Sequence, residues 1–406
     1  MRGRDDSLSI YRLYNKECQA NPHPFYHMLR TIDPVHWDSI SRHWVVTRYI
    51  DVTAALHMQQ LSAQRMPDVS HWPEQERATL TVMVNAVANQ MAFQDLPDHA
   101  RLRGLVSKAF SPRMVDGMKV RIKQIAVDLL KPLSATGHME VINDFAYPLP
   151  AIVIAEMLGV PTGDRDQFKA WCDDFQAFIG NVALPPTRLV QAQHSTIEML
   201  DYFRHLVAQC RIHPHDNLLT ALVYAYEQGC MVSEEEFLSN CILLLTAGHQ
   251  TSTHMIGNAL LALFQHPLQK DQFINTPTLG SSAVQELLRY DGPVQFVSRV
   301  AADNLDLAGK SIKKGQRVLL CLAAANRDPE QFPDPDRLDL GRTGGRPIPF
   351  SHGIHTCLGA SLARLEGEIG LGVLLRHFPQ VQLSTRDLHW QETITFRGLT
   401  SLHVMR

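Results

Sequence analysis

Apolar positions along this 406-residue chain recur mainly at helical spacing. The longest such run opens at Ser233-Glu-Glu-Glu236, a hydroxyl followed three residues on by a glutamate, the form of a capping box. Apolar periodicity then continues to about Gln265, and Pro267 stops it. At 1.5 Å per residue the helix is ~48 Å long. A globular body of this chain length is roughly 55 Å across, so the helix crosses nearly all of it and must be central. Its middle, Thr246-Ala-Gly-His-Gln-Thr-Ser-Thr253, runs against helix preference. Glycine costs about 1 kcal/mol against alanine there, and the hydroxyls compete for backbone carbonyls. A local widening is expected at this point. Ala247 and Gly248 are small enough to admit a bulky group, and Thr251, one turn beyond Ala247, offers a hydroxyl on the same face.

Strand periodicity is confined to two regions. Val35-His-Trp37 and His43–Tyr49 form a hairpin pattern, with Asp51 expected to cap a short helix through Leu56. A second β-rich region covers about 294–321. Residues from about 62 to 92 follow no clear period, and a loop of that length in a compact domain is usually functional or mobile. Helical spacing returns at 97–110, placing His99 and Arg103 four apart on one face. It continues over 118–160, about 164–180 and 187–210, with a breaker-rich stretch at 180–186. These elements predict a mainly α fold with a minor β region. No linker, repeat or low-complexity tract divides the chain, so residues 1–406 are expected to form a single domain.

Composition narrows the function. The chain is 45% apolar and 19% charged with a formal net charge of -3, an ordinary globular balance without the basic excess of a nucleic-acid binder. Its seven cysteines are scattered and contain no Cys-x-x-Cys pair, which argues against zinc ribbons and disulfide frameworks and for a reducing compartment. No apolar run approaches the ~20 residues that span a bilayer. A cytoplasmic protein without a membrane anchor is expected. Arg101, Lys108, Arg113, Lys119, Arg121 and Lys123, against the single acid Asp116, form a local basic segment. Such a segment steers an acidic partner or is simply a solvated face.

The candidate chemistry sits in Phe350-Ser-His-Gly-Ile-His-Thr-Cys-Leu-Gly359, just before a helix start at Ala360. A cysteine at a helix N-terminus is biased towards the thiolate, the metal-ligating form. This stretch resembles the haem-binding loop of the cytochromes P450, Phe-Gly-x-Gly-x-His-x-Cys-x-Gly, with Ser351 at a position usually held by glycine. The middle of the long helix is similar to the family's oxygen-binding motif, Ala-Gly-x-Glu/Asp-Thr, with Gln250 where the acid usually stands. Glu286-Leu-Leu-Arg289 and the later Pro335-Asp-Arg337 resemble the family's Glu-x-x-Arg bracket.

The resemblance covers almost the whole chain and implies a cytochrome P450 fold, with the long helix over haem b and the iron on Cys357. It implies that His99, Arg103, Arg299 and His355 hold the haem propionates, while Phe350 and Gly359 wall the ring. Thr251, with Ala247, Gly248 and Gln250, would form the oxygen-activating stretch, and Glu286, Arg289 and Arg337 would brace the fold behind the cysteine loop. Phe93, Phe175, Phe178, Val294, Phe296, Val297 and Phe396 would line a mostly apolar substrate pocket, covered by the helices at about 164–180 and 187–210. The expected activity is monooxygenation, hydroxylation or epoxidation, with electrons from NAD(P)H through ferredoxin reductase and a ferredoxin docked on the basic segment. Gln250 cannot ionise, so Thr251 has to recharge through Ser252, Thr253 or ordered water, and Gln250→Glu is expected to improve proton delivery. A peroxide-driven or rearranging haem-thiolate enzyme, and a haem sensor without turnover, are the other readings open on these residues.

Overall fold

The computed structural model describes residues 6–66, 74–181 and 185–406. Most of them are helical, and the strands gather in small sheets, as the periodicity predicts. They cluster in two compact units: Met1–Leu61, Asp116–Leu149 and Thr251–Arg406 form one, and Ser62–Val115 with Pro150–Gln250 form the other.

In the first unit a sheet runs in the order Val35–Asp38, His43–Val46, Arg317–Cys321, Phe296–Ala301 and Leu61–Ser62. The expected hairpin pairs Val35 with Val46 and Asp38 with His43. Its second strand then lies parallel to Arg317–Cys321, which pairs antiparallel with Phe296–Ala301. The period of two follows from burial on one face, where Val35, Val46, Val318 and Leu320 pack with Val52 and Leu56. The latter two lie on the helix Tyr49–His57. Asp51 does not cap that helix: it sits in the first turn and accepts from Arg48 Nε at 2.6 Å. The Tyr49 N–H is met instead by Asp328 Oδ2 at 2.8 Å, a carboxylate distant in sequence. In the same unit, the helix Ala360–His377 packs on Lys119–Leu129 and Gly280–Asp291, burying Leu362, Leu371 and Leu374.

In the second unit the helix Arg165–Gly180 packs on Pro186–Ile212, close to the predicted bounds. The stretch between them lies partly outside the described residues. The patternless region from 62 to 92 departs from expectation, because Glu74–Ala88 is a helix. Thr, Val and Asn dilute its apolar stripe, and tertiary burial of Leu80 and Met83 against Ala192 and Phe178 stabilises it.

The long helix is Glu234–Gln265, as its length and caps predict. Ser233 Oγ accepts the Glu236 N–H at 3.1 Å, while the Glu236 carboxylate accepts from the Val232 N–H at 2.8 Å. The expected widening is absent, and residues 246–253 are regular α-helix. Thr246 donates to Ile242 O at 2.9 Å within the helix, and Ser252 donates to a side chain outside it. The hydroxyls are thus satisfied without opening a turn. No helix among the described residues is long and apolar enough to cross a membrane.

Candidate active site

The cysteine loop is tied by its own backbone. The Cys357 N–H donates to Phe350 O at 3.0 Å, and Thr356 returns to Gly353 O through both its N–H and its hydroxyl. A 3-10 turn, Gly353–His355, carries His355. Gly353 has φ +77, and a Cβ there would come within 2.8 Å of Leu56 O, so this position requires glycine. Ser351 is also left-handed, at φ 63. Its buried hydroxyl has no hydrogen-bond partner. Cys357 itself is exposed. Arg364, from the first turns of the 360–377 helix, lies 4.8 Å over the Phe350 ring. Burial lowers the Arg364 pKa and the charge of the Cys357 sulfur pulls the other way, so the guanidinium and the sulfur interact electrostatically. The sequence motif contains Cys357 but gives no sign of Arg364.

The long helix presents an open face at its centre. Ala247 is exposed and Thr251, one turn on, is half-buried, whereas almost every flanking residue from 237 to 263 is buried. This is the face predicted to admit a bulky group. Gly248 has a different role: a Cβ there would strike Ile154 Cγ1 at 2.6 Å, so its small size serves helix packing. Gln250 is buried, and its Nε2 donates to Asp173 Oδ1 at 2.9 Å. Lys169 Nζ holds the other oxygen of Asp173 at 2.7 Å. Next to Gln250, the Nδ1–H of His249 donates to Leu245 O at 2.8 Å, and burial pushes the imidazole down to about 4, keeping it neutral.

Two residues beyond Gln250, Ser252 Oγ donates to Glu366 Oε2 at 2.6 Å. Glu366 is 1% exposed, and its Oε1 has no hydrogen-bond partner. Burial pushes its carboxyl up to about 8, with the Ser252 hydrogen bond pulling the other way. The Ser252 hydroxyl is therefore held by an acid that burial keeps protonated at neutral pH. Glu366 escaped the sequence reading because nothing in the helix pattern separates it from a surface glutamate.

The predicted bracket forms with one exchange. Arg289 is fully buried, donates to both oxygens of Glu286 at 2.6 and 2.9 Å, and reaches the carbonyls of Asn326, Pro335 and Arg337. Arg337 contributes only that carbonyl, and its side chain is 68% exposed. The second guanidinium on Glu286 is Arg342, at 3.1 Å. Arg342 can reach the carboxylate because the loop turns back after Arg337, a geometry that residue spacing does not encode.

The remaining predicted residues divide by unit. His99 is buried and Arg103 half-buried on one face of Asp98–Val106. Arg299 is buried on the sheet, where it donates to Ser298 O at 2.8 Å. Phe93 lies under the Arg65 guanidinium at 3.8 Å, and its turn is held by Asn240 from the long helix. Phe175 is buried in the 165–180 helix. Phe178 and Phe296 are turned into packing rather than an open pocket, Phe178 against Leu80 and Met83, Phe296 against the edge of Tyr26 at 5.8 Å. Val294 and Val297 pack on the sheet cluster. Val294 also bridges to Phe396, which lines a cleft with Tyr26, Gln295 and Trp390.

Among the described residues, no three His, Cys, Asp or Glu side chains converge to hold a bare metal ion. A single exposed thiol suits an iron that brings its other ligands with it. A Cβ at Gly359 would meet no protein atom within 4 Å, so the space over the loop is open to a flat ring. The donor set therefore fits haem.

Comparison with known proteins agrees. The family model described as Cytochrome P450 matches residues 74–395. The chain is 36% identical over 395 residues to the biotin biosynthesis cytochrome P450 of Bacillus subtilis, covering 96% of this chain and 97% of that one. It is 39% identical over 403 residues to the vitamin D(3) 25-hydroxylase of Pseudonocardia autotrophica, covering 97% and 95%. A crystal structure of P450BioI, in complex with acyl carrier protein ligated to hexadec-9Z-enoic acid, superposes with TM-score 0.89 at 34% identity, covering 97% and 100% of the two chains.

Proposed function

The chain belongs to the cytochrome P450 family, and from that premise we propose that it oxygenates a C–H bond of a mostly apolar small molecule with haem b ligated by Cys357. It is a monooxygenase of the bacterial type, and the electrons come from NAD(P)H through a ferredoxin reductase and ferredoxin. The observation that carries this reading is the exposed Cys357 thiol beside the Arg364 guanidinium on a backbone-tied loop. Haem supplies the one-electron and dioxygen chemistry when bound.

The protein's part is binding, orientation and proton handling. Cys357 acts as thiolate, a form favoured by its place just before the helix start at Ala360. Arg299, His355, His99 and Arg103 neutralise the propionates. Thr251 presents its hydroxyl on the open face of the long helix, where it orients and passes a proton. The supply runs through Ser252, whose hydroxyl is held by Glu366, an acid that keeps its proton until about pH 8. Phe93, Phe175 and Phe396 exclude water from the substrate. One relative is a vitamin D(3) 25-hydroxylase and another was crystallised with hexadec-9Z-enoic acid ligated to acyl carrier protein, which makes vitamin D(3) and fatty acyl chains the first compounds to screen.

Reduction under carbon monoxide tests the ligand. The purified protein should give the long-wavelength band of a thiolate-ligated carbonyl complex, and Cys357→Ser should abolish it. A band unchanged in Cys357→Ser would mean that another residue is the ligand. Gln250 favours a second reading, a peroxide-driven enzyme that needs no proton relay. Turnover with hydrogen peroxide that exceeds turnover with the reductase pair would establish it.

A further inference from the structure

We propose that Asp173 supplies, from the 165–180 helix, the carboxylate that the long helix lacks at position 250. It acts as a positioning residue by fixing the orientation of the Gln250 amide. The functional half of this inference rests on the proton-delivery role given above to the stretch around Thr251, whereas the contact itself stands on geometry.

A carboxylate only accepts hydrogen bonds, so the amide has to present its NH2 end to it. The reverse orientation would set two oxygens face to face. With one Nε2–H donated to Asp173 Oδ1 at 2.9 Å, the amide plane is fixed, and the carbonyl oxygen and the second N–H are left for other groups. Lys169 Nζ at 2.7 Å holds the second oxygen of Asp173 and so fixes the carboxylate in turn. The line runs from water inwards: the Asp173 side chain is 42% exposed, whereas Gln250 is 6% exposed and adjoins Thr251 in the chain.

The same geometry explains why position 250 is an amide. A glutamate in that place would put a second carboxylate against Asp173 at hydrogen-bond distance, where two acceptors of like charge repel. Gln250 and Asp173 are two halves of one exchange, with the acid moved from the long helix to its neighbour. Gln250→Glu alone should therefore break the contact instead of restoring an acid. Gln250→Glu with Asp173→Asn should remake the bond with donor and acceptor swapped.

The test compares the haem-loaded parent, Gln250→Glu, Asp173→Asn and the double variant by hydrogen exchange over residues 165–180 and by peroxide released per NAD(P)H consumed. Gln250→Glu should speed exchange in that helix about tenfold, the size of a lost hydrogen bond to a charged group, and should raise peroxide above the parent, because the side chain at 250 is then no longer held. The double variant should bring exchange back to within about threefold of the parent and should lower peroxide to the parent's level or below, because the side chain at 250 is held again. Additive effects of the two substitutions on exchange, or full protection in Gln250→Glu, would overturn the contact. Recovered exchange with peroxide still as high as in Gln250→Glu would overturn the positioning role. Failure of the carbon monoxide band in the parent would instead count against the haem-thiolate reading.

Discussion

Ser351 occupies a left-handed backbone at φ 63, where a Cβ costs roughly 1–2 kcal/mol. Its buried hydroxyl adds an unmet polar group. Ser351→Gly should stabilise the protein by roughly 1 kcal/mol after the entropy of the freer unfolded glycine is deducted, measured by denaturant unfolding. A loss of stability would mean that the hydroxyl has a partner in the loaded enzyme. Glu366 makes a second residue-scale prediction. Its ordinary value of 4.5 is raised to about 8, so the native protein keeps a proton that the unfolded chain releases from about pH 4.5 upwards. Unfolded chains then bind fewer protons than native ones, and stability falls as pH rises through that window. Glu366→Gln keeps an acceptor for Ser252 and removes the titration. Its advantage over the parent should grow from pH 5 to pH 8 in unfolding experiments, and a constant difference would show that the carboxyl is not neutral in the fold. Cys357 was legible from the sequence because its neighbours form a ten-residue pattern, whereas Glu366, Arg364 and Asp173 acquire meaning only from what they touch.

Among the elements, the bracket on the Gly280–Asp291 helix makes a graded prediction. Arg289→Ala leaves Glu286 buried with one cation fewer and strips the Asn326 and Pro335 carbonyls of their guanidinium donor, a loss of about 3–5 kcal/mol. Arg342→Ala should cost less, since it reaches Glu286 from the more open side. Arg337→Ala should change stability by less than about 0.5 kcal/mol, because its contribution is backbone. Equal losses for Arg337→Ala and Arg342→Ala would contradict this geometry. The element scale also shows where local rules lose. Glu74–Ala88 is a helix without a helical signature, and 246–253 stays helical against its composition. Tertiary packing decides both, since a few kcal/mol of burial outweigh propensity differences of tenths per residue.

For the molecule as a whole, a net charge of -3 offers no long-range attraction to an acidic donor, so any steering must be local. Not all of the basic segment is available for it. Arg101 is held by Glu236 at 2.6 Å and by Asp98 at 2.8 Å, and Lys119 by Asp116 at 2.9 Å. Lys108 and Arg113 are exposed. If a ferredoxin docks there, Lys108→Glu with Arg113→Glu should slow the first electron transfer several-fold, of order tenfold at low salt, and flatten its salt dependence. Reduction by dithionite should be unchanged. Arg101→Glu should act instead on stability, because it sets a third carboxylate against Glu236. Equal transfer rates in the Lys108/Arg113 variant and the parent would leave the segment a solvated face.

The helical class, the length and caps of the 234–265 helix, the hairpin at 35–46 and the turn-rich loop around Cys357 can all be read from the amino-acid order alone. Each of these is written in residues adjacent in the chain or one period apart, where steric and hydrogen-bonding preferences act directly. Folding was needed to bring Asp328 to the helix start at Tyr49, Arg342 to Glu286, Ser252 to Glu366 and Gln250 to Asp173. Those partners lie 279, 56, 114 and 77 residues apart in the order named. A charge or hydroxyl at such separation takes its role from burial and from the one group that the fold brings within 3 Å, and neither is encoded in local spacing.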